Sequence, residues 1–148
     1  MFIEPEEPWY QQSLSALRLS LNARAAGVWR VEVDHLRQLG FDAATDMPRD
    51  VSQGFAQATL TVSLDLTSLG IVIAANERRR VVSVATDLPV EVGSGYWLHG
   101  FEAARSVAVP IMDDLGKVLA VVAVALPTLE PSDVNVETAL RSAASAWF

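Results

Sequence analysis

Apolar residues recur at helical spacing near the start of the chain. Tyr10, Leu14, Leu17 and Leu21 share one face of a helix that opens at Trp9. Gly27, which tolerates positive φ, is read as its end. The pattern then changes period. From Val28 to Val33 the residues alternate, with Trp29, Val31 and Val33 on one side. Asp34-His35 reads as a two-residue turn and Leu36 to Phe41 as the returning strand, with Glu32 facing Arg37 across the ladder. Asp46-Met47-Pro48 reads as a turn and Asp50 to Ala58 as a short helix. Strict alternation from Thr59 to Thr67 predicts a further strand. Thr67 or Ser68 then caps a helix running through Asn76. Val81 to Ala85 is a short strand, and Gly93-Ser94-Gly95 opens an aromatic loop holding Tyr96, Trp97, His99 and Phe101. Two strong strands, Arg105 to Met112 and Lys117 to Leu126, are joined by a turn in which Gly116 supplies the left-handed residue. Ser132 caps a final helix with Val136, Leu140, Ala143 and Trp147 on one face.

Hairpin-joined strands with helices at both ends predict an α+β domain around an antiparallel sheet, not a doubly wound parallel one. Composition agrees: 148 residues, 51% hydrophobic and 20% charged, are enough for one domain with a real core over residues 9–148. Residues 1–8, with two prolines and three glutamates, read as a flexible acidic lead-in. Eleven basic residues against eighteen acidic ones leave a net charge of −7, which argues against nucleic acid or an anionic membrane surface as partner. The longest apolar run, Val118 to Pro127, is about half a membrane span, so no membrane insertion is expected. The first residues lack the basic start of a signal peptide, and a cytoplasmic location is expected. The absence of cysteine removes disulfides, thiolate metal ligands and a thiol nucleophile.

The run Arg105-Ser106-Val107-Ala108-Val109-Pro110-Ile111, followed by Asp113-Asp114-Leu115-Gly116-Lys117-Val118-Leu119-Ala120-Val121, resembles the hairpin motif of GAF domains. Ala120 stands where that family often has Gly. The stretch Val62 to Asp65 followed by Ser68-Leu69-Gly70, and the segment from Leu129 to Asp133 with the last helix, are similar to further family segments. Over residues 10–148 the resemblance implies a GAF/PAS-like (profilin-like) antiparallel sheet with the N- and C-terminal helices packed on one face. PAS and roadblock folds share the element order and stay open. The resemblance further implies a sensory or regulatory role in signal transduction. A small molecule would be held between the sheet and its covering loops, and a homodimer formed through the terminal helices. The alternative is a ligand-free dimerisation or protein-interaction module.

Several family chemistries lack their residues. Covalent bilin attachment and methionine-sulfoxide reduction need cysteines, and there are none. The cyclic-nucleotide members carry an N-K signature, whereas Asn76 is followed by Glu77. Haem-sensing members place an iron-ligating His in the loop where His99 stands between Trp97 and Phe101; an ordinary loop histidine beside core aromatics is the weightier reading. Trp29, Tyr96, Trp97, His99, Phe101 and Arg105 are the candidate ligand-binding residues, with no catalytic or metal residues. The 93–101 loop reads equally as a flexible lid or as a turn whose aromatics fill the core edge. For Arg105, pairing with a ligand anion competes with the leading alternative, a solvated arginine or one bonded to Glu102. Arg78, Arg79 and Arg80 read as a solvated charge run at a helix end, and Asp113-Asp114 as turn formers. No nucleophile with a base, and no phosphate loop, can be placed, so an enzyme is not expected.

Overall fold

A computed structural model describes residues 8–148. The acidic lead-in expected over residues 1–8 lies outside them, apart from Pro8, the first residue of α1. In chain order the elements are α1 (Pro8–Leu21), β1 (Ala25–Val31), β2 (His35–Ala43), α2 (Arg49–Ala58), β3 (Thr61–Ser63), α3 (Gly70–Glu77), β4 (Val81–Val84), α4 (Gly93–Phe101), β5 (Arg105–Met112), β6 (Val118–Leu126) and α5 (Asp133–Ala144). The strands form one antiparallel sheet in the order β3-β2-β1-β6-β5-β4.

Two apolar cores sandwich this sheet. On one face α1 and α5, with Trp147 just beyond α5, bury Leu14, Leu17, Val136, Leu140 and the Trp147 ring against Val28, Val107, Val109, Val122 and Val124. On the other face α2, α3 and α4 bury Phe55, Val72, Leu98 and Phe101 against Trp29, Leu36 and Val121. The terminal helices therefore share one face, as the family resemblance implies. Their stripes are consumed inside the chain: Leu14, Val136 and Leu140 are fully buried. No helix among the described residues is long and apolar enough to cross a membrane.

Several boundaries differ from expectation for local reasons. The first helix ends at Asn22, whose φ of 52° supplies the left-handed residue, and Gly27 lies inside β1. There its missing side chain makes room for the Trp29 ring, since a Cβ on Gly27 would stand 2.4 Å from Trp29 Cη2. The β1–β2 turn sits one residue earlier than predicted: Glu32 N–H donates to the His35 carbonyl, leaving Val33 and Asp34 at the tip. The Glu32–Arg37 ion pair nevertheless forms at 3.0 Å. The strand predicted over Thr59–Thr67 shrinks to β3, because the buried Thr59 closes α2 and of the apolar residues in the stretch only Val62 is buried.

In the β5–β6 turn Gly116 takes φ 81°, and the Asp113 carboxylate accepts from the Leu115 and Lys117 amides. Arg78 ends α3 in the left-handed conformation. The three consecutive arginines are engaged: Arg78 donates to the Gly116 carbonyl, Arg79 pairs with Glu77 and Arg80 with Glu137.

Candidate functional site

Small residues on the three central strands create the site. On the cavity face Ala25 of β1 pairs with Ala125 of β6, which pairs with Ser106 of β5; one step along, Gly27, Ala123 and Ala108 form the next row. Five small side chains and a glycine, side by side, leave a shallow floor. The same strands carry Val107, Val109, Val122 and Val124 on the opposite face, where α1 and α5 close down tightly. Over the floor lies a cavity of about 60 Å³. That exceeds the roughly 10–15 Å³ a single water needs and falls well short of the roughly 300 Å³ of a site for a drug-sized ligand.

Aromatic rings wall the cavity. Trp29, Phe41, Phe55, Trp97 and Phe101 border it, with Leu69, Ile71 and Leu98. Phe55 is the hub, with ring centroids 5.1 Å from both Phe41 and Phe101, 5.2 Å from Trp97 and 6.2 Å from Trp29. Such pairs each contribute about 0.5–1.5 kcal/mol beyond their burial. Trp29 is anchored as well: its indole N–H donates to the Thr59 carbonyl at 2.9 Å, tying β1 to the end of α2.

Phe41 reaches the cavity because of a β-bulge. The register slips between Val28 and Trp29, so Val28 pairs with Gly40 but Trp29 with Gln38, leaving Leu39 as the extra residue. Leu36 and Gln38 face α2, while Leu39 and Gly40 both face α1, which returns Phe41 to the cavity side. Uninterrupted alternation would place Phe41 on the wrong face.

The 93–101 segment is the helix α4, not the expected loop. Helical spacing sorts its side chains: Ser94, Trp97, Leu98 and Phe101 face the cavity, whereas Tyr96 and His99 are exposed on the outer side. His99 is therefore not placed to ligate an iron in the cavity. The segment's start is held rather than hinged. A Cβ on Gly95 would stand 1.9 Å from the Pro89 carbonyl oxygen, and one on Gly93 would stand 2.3 Å from that of Ser68.

Arg105 also lies away from the cavity. It shares strand parity with Val107 and Val109, so it points to the α5 face, where it is 2% exposed. Its guanidinium donates to the Thr128 carbonyl at 3.0 Å, to the Pro131 carbonyl and to the Asp133 carboxylate. Glu102 is not among these partners. Of the six sequence candidates, the fold gathers Trp29, Trp97 and Phe101 and leaves out Tyr96, His99 and Arg105. Phe41, Phe55 and the small-residue floor were missed. The Ala/Val alternation of Val121-Val122-Ala123-Val124-Ala125 was a readable signal for the floor, because it makes one face of β6 consistently smaller.

No protein-family model and no curated protein matches the chain. Solved structures do. The GAF domain region of a putative membrane protein from Geobacter sulfurreducens superposes with a TM-score of 0.68 at 13% identity, covering 96% of this chain and 92% of that one. The fold is GAF-like. A methyl-accepting chemotaxis protein fragment, residues 122 to 287, is similar at TM-score 0.65 and 16% identity, over 95% of this chain and 87% of that one. The type II free methionine-R-sulfoxide reductase from Thermoplasma acidophilum gives 0.65 at 13% identity, over 94% and 86%. This last similarity overturns, as a reading of the fold, the expectation that the chain is not an enzyme. Free methionine-R-sulfoxide reductases, at 13% to 18% identity, are enzymes on this GAF-like fold, so the architecture is compatible with catalysis. What the sequence withholds is narrower, a thiol nucleophile, since it contains no cysteine.

Proposed function

We propose that this GAF-like domain is a sensory or regulatory module in signal transduction, binding a small, largely apolar molecule between the sheet and helices α2, α3 and α4. The observation that carries this reading is the aromatic-walled cavity over a floor of alanine and glycine. Close packing normally fills such a space, and an unfilled apolar cavity costs stability. Occupancy would recover the lost contacts, and binding to the folded state alone would stabilise it in proportion to ligand concentration.

Native mass spectrometry of the purified protein, beside a denatured control, tests this. An adduct that disappears on denaturation, and is absent from an Ala123→Leu variant whose floor is filled, is the expected result. A bare mass would count against the reading if Trp29 and Trp97 fluorescence also failed to respond to a panel of small apolar molecules.

A further inference from the structure

The cavity has two unlike sides. Its serine hydroxyls stand towards the β4 edge of the sheet. Ser106 lies on β5, next to β4; it lines the cavity half-buried and makes no side-chain hydrogen bond among the described residues. Ser94 Oγ accepts the Gly70 N–H at 3.0 Å, which leaves its hydroxyl proton to donate. Gly70 sets that hydroxyl over the same edge, since a Cβ on Gly70 would stand 3.6 Å from Val81 Cγ1 in β4 and 3.8 Å from Ser94 Oγ. The opposite side is apolar. Trp29 of β1 and Phe41 of β2 rise there, and Phe55 packs on both rings.

A charged group finds no counterpart in this space. No acidic or basic side chain is among the described residues that line it. Arg24, whose neighbour Ala25 lines the floor, is engaged by the Phe101 carbonyl and the Asp46 carboxylate. An ionic head would therefore lose its water without gaining an opposite charge, and such burial is costly. The rings offer a cation little: Phe55 meets Trp29, Trp97 and Phe101 at interplanar angles of 87°, 80° and 73°, which sets ring edges on faces that a cation would need. An uncharged oxygen, by contrast, finds donors in Ser94 and Ser106 and needs no counter-charge. The volume of about 60 Å³ is roughly four to six times the 10–15 Å³ that one water needs, room for about four to six non-hydrogen atoms.

We propose that the ligand is a short uncharged ketone, aldehyde or alcohol, its oxygen received by Ser106 and Ser94 and its hydrocarbon end lying against Trp29 and Phe55. This rests on the reading of the cavity as a ligand site. Amide-detected NMR titrations of the whole chain compare probes of like size. They are 2-butanone, 2-methylbutane (a methyl group in place of the ketone oxygen), sodium butyrate and n-butylammonium chloride. Butanone is expected to shift the Ser106, Ala108 and Ala123 amides and to bind at least about tenfold more tightly than either ion. Ser106→Ala should weaken butanone roughly fivefold, about the worth of one neutral hydrogen bond, and leave 2-methylbutane unchanged. Binding of 2-methylbutane alone, an ion binding as tightly as butanone, or butanone affinity unchanged in Ser106→Ala would overturn the neutral-oxygen assignment and leave the cavity reading standing. If no probe moves a cavity resonance, both readings fall.

Discussion

Strand parity decides what a single side chain can do, and Arg105 shows the consequence. As the first residue of β5 it could face either layer, and facing α5 makes it a clasp between the end of β6 and the start of the last helix. Arg105→Ala should cost about 2–3 kcal/mol in urea unfolding, less than the roughly 3–5 kcal/mol of breaking a fully buried ion pair, because Asp133 remains within reach of water. Binding in the cavity should be unchanged, which a ligand-pairing role would not allow. Glu137 offers a second test. Burial tends to raise its pKa, but hydrogen bonds and charge from Arg141 and Arg80 outweigh this and hold it below the usual carboxylate range. Its folded-state pKa being lower than its unfolded one, its stabilisation is present at neutral pH and lost as acid titrates it. Glu137→Gln should lower stability at neutral pH and make the loss of stability on acidification shallower, readable from unfolding curves at neutral pH and about pH 3.

At the level of elements, α4 turns a glycine-rich aromatic stretch into a wall. Helix propensity alone would favour alanine over glycine at position 95 by roughly 1 kcal/mol. The close approach of the Pro89 carbonyl reverses that preference, because a Cβ there would collide with backbone. Gly95→Ala is therefore expected to lower the melting temperature and to shift Trp97 fluorescence as α4 moves off the cavity. An unchanged or raised melting temperature would show that the Pro89 turn can yield. The bulge at Leu39 does comparable work in β2: one extra residue turns Phe41 towards Phe55, Phe101 and the cavity.

Across the whole molecule, the sheet divides two layers of different tightness. The α1/α5 layer meets valines and closes fully, whereas the α2/α3/α4 layer meets alanine, glycine and serine and leaves the cavity. In α2 only Phe55 is buried, with the helix end tied down through Gln38 and Thr59. Hydrogen exchange should accordingly be fastest in α2 and slowest in the central strands β1, β5 and β6, since local opening follows buried contacts. A bound ligand touching Phe55 should slow exchange in α2 most. Uniform protection across α2 and β6 would contradict this division.

Periodicity carried the two central hairpins and the terminal helices, because those features depend on local spacing and turn chemistry; that the two helices share one face was implied by the family resemblance. Asp113 and Gly116 at the β5–β6 turn and Ser132 at the α5 cap act where the sequence places them, through bonds to backbone only a few residues away. The aromatic cluster was legible as a composition, but its geometry was not. Reading residues 93–101 as a loop left His99 and Tyr96 equal to Trp97 and Phe101, and only the helical turn separates inside from outside. The bulge that turns Phe41, the rows of small residues meeting across three strands, and the parity that sends Arg105 to the far face arise from pairings between distant segments. Spacing along the chain determines which side chains can share a face; which face is covered, and how tightly, is decided only when the strands find their partners.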